Sequence, residues 1–142
     1  MKTGNDYAAQ GHWDQAIYQY TKAIEAKPHY AKAYNNRGVA YASEGSIERA
    51  VDDFTMAIAT NPNDAKAYNN RGHAYAQMGR YYQAIHDYSK AIDINPLYFK
   101  AYNNRALAYI KMERNEKAKA DMLKIERLGG TVDTDLKEAL QK

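Results

Sequence analysis

Apolar and polar positions along this chain keep a helical rhythm that restarts at a fixed interval. From Ala31 to Glu44 no proline intervenes, and Tyr34, Gly38 and Tyr41 recur at helical spacing on one face. Gly45 follows as a stop signal. From Ile47 to about Ala59, the residues Ala50, Val51, Phe54, Ala57 and Ile58 mark a second apolar face. Asn61-Pro62 then breaks the run, because proline lacks an amide donor and restricts the residue before it. The next helix is predicted to start near Ala65. Connections this short force neighbouring helices to pack antiparallel.

The pattern is a repeat. The string KAYNNR begins at Lys32, Lys66 and Lys100, at intervals of 34 residues, and the only three prolines, Pro28, Pro62 and Pro96, keep the same interval. So do Ala16, Ala50, Ala84 and Ala118, and Tyr7, Tyr41, Tyr75 and Tyr109. Several independent columns agreeing over almost the whole chain define one domain with a truncated unit at 1–30 and full units at 31–64, 65–98 and 99–132. Residues 133–142 follow, in which Leu136, Ala139 and Leu140 form the apolar stripe of a short helix over Asp133–Gln141. This helix is expected to cover the last exposed hydrophobic face.

These columns resemble the tetratricopeptide repeat family. Its pattern sets a large aromatic, a small residue and a tyrosine on the first helix of each unit. The second helix carries an alanine, an aromatic and another alanine, and a proline follows. Here those positions are Tyr34, Gly38, Tyr41, Ala50, Phe54, Ala57 and Pro62, then Tyr68, Gly72, Tyr75, Ala84, Tyr88, Ala91 and Pro96. The first unit keeps Gly4, Tyr7, Trp13, Ala16, Tyr20, Ala23 and Pro28. The fourth has Tyr102, Ala106, Tyr109 and Ala118, and then departs with Met122, Ile125 and Gly130. The resemblance implies an all-α fold, a right-handed α-solenoid of antiparallel helix pairs closed by a C-terminal capping helix. Family first helices run three to four turns and only Met1 to Gln10 remains for the first, so this chain is expected to be a piece of a longer array or to have lost a leading segment.

Composition narrows the function. The net charge of +3 demands neither nucleic acid nor a membrane surface, and no apolar run reaches the length of a membrane span. There is no cysteine, which removes thiol chemistry and cysteine-based metal sites. His12, His29, His73 and His86 form no HExxH pair, and neither GxSxG nor a glycine-rich phosphate loop occurs. No catalytic residue, metal or cofactor is expected. Tyrosine is abundant, 14 against 2 Phe and 1 Trp, but Tyr7, Tyr34, Tyr41, Tyr68, Tyr75, Tyr102 and Tyr109, with Tyr20 and Tyr88, fall in packing columns. They are expected in the core and not stacked on nucleic-acid bases. Arg37, Arg71 and Arg105 each precede an aspartate by 16 residues, Asp53, Asp87 and Asp121, and in the first unit Thr3 and Gln19 replace both charges together. That joint loss predicts structural ion pairs between the helices of each unit, the middle one most buried.

The remaining column residues point to binding. Lys32, Asn35, Asn36, Val39 and Ser43 share one helix face, distinct from the face of Tyr34, Gly38 and Tyr41. The resemblance places that face on a concave groove. The candidate groove residues are Asn5, Lys32, Asn35, Asn36, Lys66, Asn69, Asn70, His73, Gln77, Lys100, Asn103 and Asn104. Lysine supplies charge and asparagine bonds peptide groups, which suits an acidic, extended or C-terminal segment of a partner protein. A carboxylate clamp, as found in co-chaperone members, would match at Asn5, Asn36 and Lys66, with Met1 and Asn70 in place of its remaining lysine and arginine. The expected role is therefore a protein-interaction scaffold with a looser acidic-peptide site. A self-assembling scaffold and a targeting domain of a longer enzyme are the alternatives.

Overall fold

A computed structural model describes residues 1–142, and all its regular structure is helical. Nine helices follow in order: α1 (Gly4–Ala9), α2 (Trp13–Ala26), α3 (Ala31–Ser43), α4 (Ile47–Thr60), α5 (Ala65–Gln77), α6 (Tyr81–Ile94), α7 (Phe99–Lys111), α8 (Asn115–Arg127) and α9 (Thr134–Leu140). From α1 to α8 each helix packs on the next in sequence, and α1, α3, α5 and α7 form one layer with α2, α4, α6 and α8 as the other. In the first layer α3 touches α5 and α5 touches α7 directly, a closeness the second layer does not match. The stack therefore curves with the first helices inside.

Local chemistry sets the ends of these helices. Thr3 and Asp6 form a capping box that starts α1. The turns inside the first three pairs are closed by Gly11, Gly45 and Gly79 at φ 74°, 95° and 75°, a left-handed conformation that only glycine adopts without cost. The matching residue of the fourth pair is Glu113, which takes φ 60° all the same.

Within each pair the small residue and the aromatic expected from the columns meet face to face. A Cβ on Gly38 would stand 2.6 Å from the Phe54 ring, and one on Gly72 2.8 Å from the Tyr88 ring. Gly4 faces Tyr20 in the same way. Ala16, Ala50, Ala84 and Ala118 are fully buried, so helices approach to alanine contact there. Among the tyrosines, Tyr20, Tyr88 and Tyr102 are buried, whereas Tyr7, Tyr34, Tyr41, Tyr68, Tyr75 and Tyr109 are half-buried and lie along the packed faces. The short α9 folds onto α7 and seats Leu136, fully buried, beside Val132, Ile125 and Tyr102.

Candidate functional site

The inner face of the stack is built from the exposed sides of α1, α3, α5 and α7. Lys32, Lys66 and Lys100 are the second residues of α3, α5 and α7 and are all exposed. None has a carboxylate within ion-pair distance. Asp64 caps α5 by accepting a hydrogen bond from the Lys66 amide at 3.1 Å, while Tyr30 and Tyr98 stand at that position before α3 and α7. A cation in the first turn opposes the helix dipole by about 0.3–1 kcal/mol. Three such cations in a row make the wall electropositive.

The asparagines divide into two sets. Asn36, Asn70 and Asn104 are half-buried. Asn35, Asn69 and Asn103 do not line the groove: they are 4%, 1% and 2% exposed, which corrects their assignment as groove residues. Their amides hold neighbouring first helices together. Asn70 Nδ2 donates to Asn35 Oδ1 and Asn104 Nδ2 to Asn69 Oδ1, both at 3.1 Å. In the first unit Asn36 Nδ2 turns instead to Asn5 Oδ1 at 3.3 Å, since Met1 stands where that inner asparagine would be. In the last, Asn103 Oδ1 accepts from the Asp133 amide and its Nδ2 donates to the Phe99 and Thr131 carbonyls, pinning the segment that leads into α9. Asn103 is thus held through both ends of its amide, whereas Asn35 and Asn69 are held through their carbonyls.

Asn5 is brought next to Asn36, and its carbonyl also accepts from the Tyr20 hydroxyl at 2.6 Å. With the carbonyl taken twice, the amide hydrogens of Asn5 remain for a ligand. Asn5, Lys2, Lys32 and Asn36 line one hollow of about 370 Å³ at this end. His73 and Gln77 sit between two further hollows, one between α3 and α5 and the other between α5 and α7. The His73 ring is exposed at the groove rim, yet the surrounding walls strip enough water to lower its pKa, and Lys100 lowers it further. At neutral pH His73 is thus uncharged and can donate from one ring nitrogen and accept at the other. His12, His29 and His86 are exposed at turns or on outer faces.

The three arginines lie outside this face, in a joint the sequence reading described only in part. Arg37, Arg71 and Arg105 each make two parallel bonds to Asp53, Asp87 and Asp121 at 2.6–2.9 Å. The middle aspartate is the most enclosed, as expected. Each guanidinium also donates backwards, to Thr21, Thr55 or Ser89 of the preceding pair at 3.0–3.3 Å. Arg37 and Arg71 lie between the tyrosines three residues before and four after. Hydrogen bonding to the aspartate raises the pKa of Arg37 and Arg71 against an opposing cost of burial. For Arg105 burial is the largest influence and works downward, and Asp121 overcomes it. The backward bond had a signal in the sequence: the hydroxyl column Thr21, Thr55, Ser89 ends at Leu123, after which no arginine follows at that spacing.

Residues 1–65, 65–98 and 88–120 each match the tetratricopeptide repeat family. No curated protein sequence matches the chain. Among solved structures it is similar to the MamA protein, at 31% identity and a TM-score of 0.82, covering 87% of this chain and 68% of that one. It is also similar to the first such domain of Spaghetti (RPAP3) bound to the HSP90 peptide SRMEEVD, at 32% identity and a TM-score of 0.76, covering 78% and 87%. A third is the Arabidopsis OM64 domain, at 28% identity and a TM-score of 0.73, covering 75% and 88%.

Proposed function

The chain belongs to the tetratricopeptide repeat family, and on that premise we propose that its inner groove binds an extended acidic segment of a partner protein. The observation that carries this reading is the row Lys32, Lys66 and Lys100, exposed, without ion-pair partners, at the positive ends of three parallel helices. A carboxylate there would offset both the lysine charge and the helix dipole. The half-buried Asn36, Asn70 and Asn104 keep a carbonyl and one amide hydrogen each for the backbone of such a segment. A relative with this fold holds an acidic peptide, which supports the same chemistry here.

The test is titration with the heptapeptide SRMEEVD and with its counterpart in which glutamine replaces both glutamates. The acidic peptide is expected to bind more tightly. Charge-assisted bonds contribute about 1.5–3 kcal/mol each when desolvated. Replacing Lys66 and Lys100 by alanine should therefore weaken binding roughly tenfold or more and flatten its dependence on salt. Circular dichroism should show an unchanged fold, since both side chains are exposed. Equal affinity of both proteins, or binding indifferent to salt, would place the ligand elsewhere.

A further inference from the structure

The hollows on either side of His73 differ in one column. Phe54 lines the first and Tyr88 the second, and both rings are almost wholly buried, at 2% and 1% exposed. In the first pair the equivalent Tyr20 spends its hydroxyl on Asn5. The Asn5 column continues as Val39, His73 and Leu107, so first helices offer a polar residue where a tyrosine stands opposite and an apolar one opposite Phe54 and Met122. Yet Tyr88 and His73 do not bond to each other, and the Tyr88 hydroxyl has no partner in the protein. Every fully enclosed side-chain nitrogen and oxygen is satisfied, so this hydroxyl opens onto the hollow. Burial, with the Asp87 charge beside it, raises its pKa and keeps it a proton donor.

The rest of the lining fixes what the donor meets. Ala76, Leu107 and Ala108 supply apolar wall, Lys111 supplies a cation, and no carboxylate takes part. Lys111 has no ion-pair partner. The hollow measures about 220 Å³, enough for a single side chain. We propose that it is a selectivity pocket for an acidic side chain of the bound peptide, glutamate ahead of aspartate, with the Tyr88 hydroxyl donating to the carboxylate and Lys111 balancing its charge. The apolar wall suits the longer methylene stem of glutamate. The inference rests on the groove reading above and adds a position at which the groove discriminates.

The test uses an array of heptapeptides in which each position is varied through all residues, probed with the wild type and with Tyr88→Phe. The variant removes one oxygen and should fold, because Phe54 fills the same column one unit earlier. The wild type should prefer glutamate over glutamine at one position by roughly tenfold, and Tyr88→Phe should lose most of that preference there and nowhere else. Lys111→Gln should lower the same preference, since Gln77 already occupies that column. An unchanged glutamate preference in Tyr88→Phe, or a loss spread over every position, overturns the pocket and leaves the groove standing. If the wild type binds no peptide of the array, the groove reading fails and this one fails with it.

Discussion

The pair α5–α6, inside the stack, and the pair α7–α8, next to its end, solve the same packing problem with different residues. In the first, Gly72 leaves room for the Tyr88 ring. In the second, Ala106 and Met122 replace both partners at once, so the added methyl meets a flexible thioether and not a rigid ring. Ala91 becomes Ile125, which is buried against α9 instead of against a following pair. Asn69 accepts from an asparagine of the next helix, whereas Asn103 accepts from the chain entering α9. The Arg–Asp joint is unchanged. What faces inward across a pair is kept or changed jointly, and what faces a successor is free to be rebuilt.

Three measurements by urea unfolding would break or sharpen that contrast. The largest effect is expected from Asp87→Ala. It leaves Arg71 enclosed without its carboxylate and should cost about 3 kcal/mol. Asp121→Ala should cost less, because Asp121 is more open to water than Asp87. Equal losses would show that the end of the stack is as tightly held as its middle. Next comes Gly72→Ala. Its new Cβ would lie 2.8 Å from the Tyr88 ring and 3.1 Å from the Ala84 carbonyl. Overpacking should outweigh the gain in helix propensity and leave a loss of about 1–2 kcal/mol. Tyr88→Met in that background copies the Ala106–Met122 pairing and should recover part of the loss. If the second change deepens it, the two columns are not coupled. The smallest effect has the opposite sign. Glu113 holds a left-handed φ where the other pairs use glycine, so Glu113→Gly should stabilise by about 1 kcal/mol. The matching Gly79→Glu should destabilise by a similar amount.

Most of the fold was legible because a 34-residue period superimposes equivalent residues. Proline after Asn61 and Asn95 and the turn glycines fixed helix limits to within a residue or two, and Leu136 with Leu140 marked the cap. The Arg–Asp pairs were legible because both partners vanish together in the first unit. The inner asparagines were misread for a geometric reason. Their bonds to Asn70 and Asn104 span 35 residues, one more than the period, so comparing like with like passes over them. On one helix Asn35 and Asn36 are adjacent and equally polar, and only the neighbouring helix decides which of them sees water. The lone hydroxyl of Tyr88 was likewise invisible, since a tyrosine in a packing column reads as a ring.

The backward bond from each arginine has a consequence for how such a chain can grow. Because Arg71 ties Thr55 to Asp87, the true joint straddles two units, with an acceptor left behind for each newcomer. A duplicated 34-residue stretch, cut at any phase, regenerates a complete junction with its own copy. Lengthening by tandem copying therefore needs no adjustment of the seam. Leu123 interrupts this hand-over, so a fifth unit grafted after residue 132 would arrive with an arginine and find an aliphatic side chain waiting. Leu123→Thr would return the acceptor that such a unit's arginine needs.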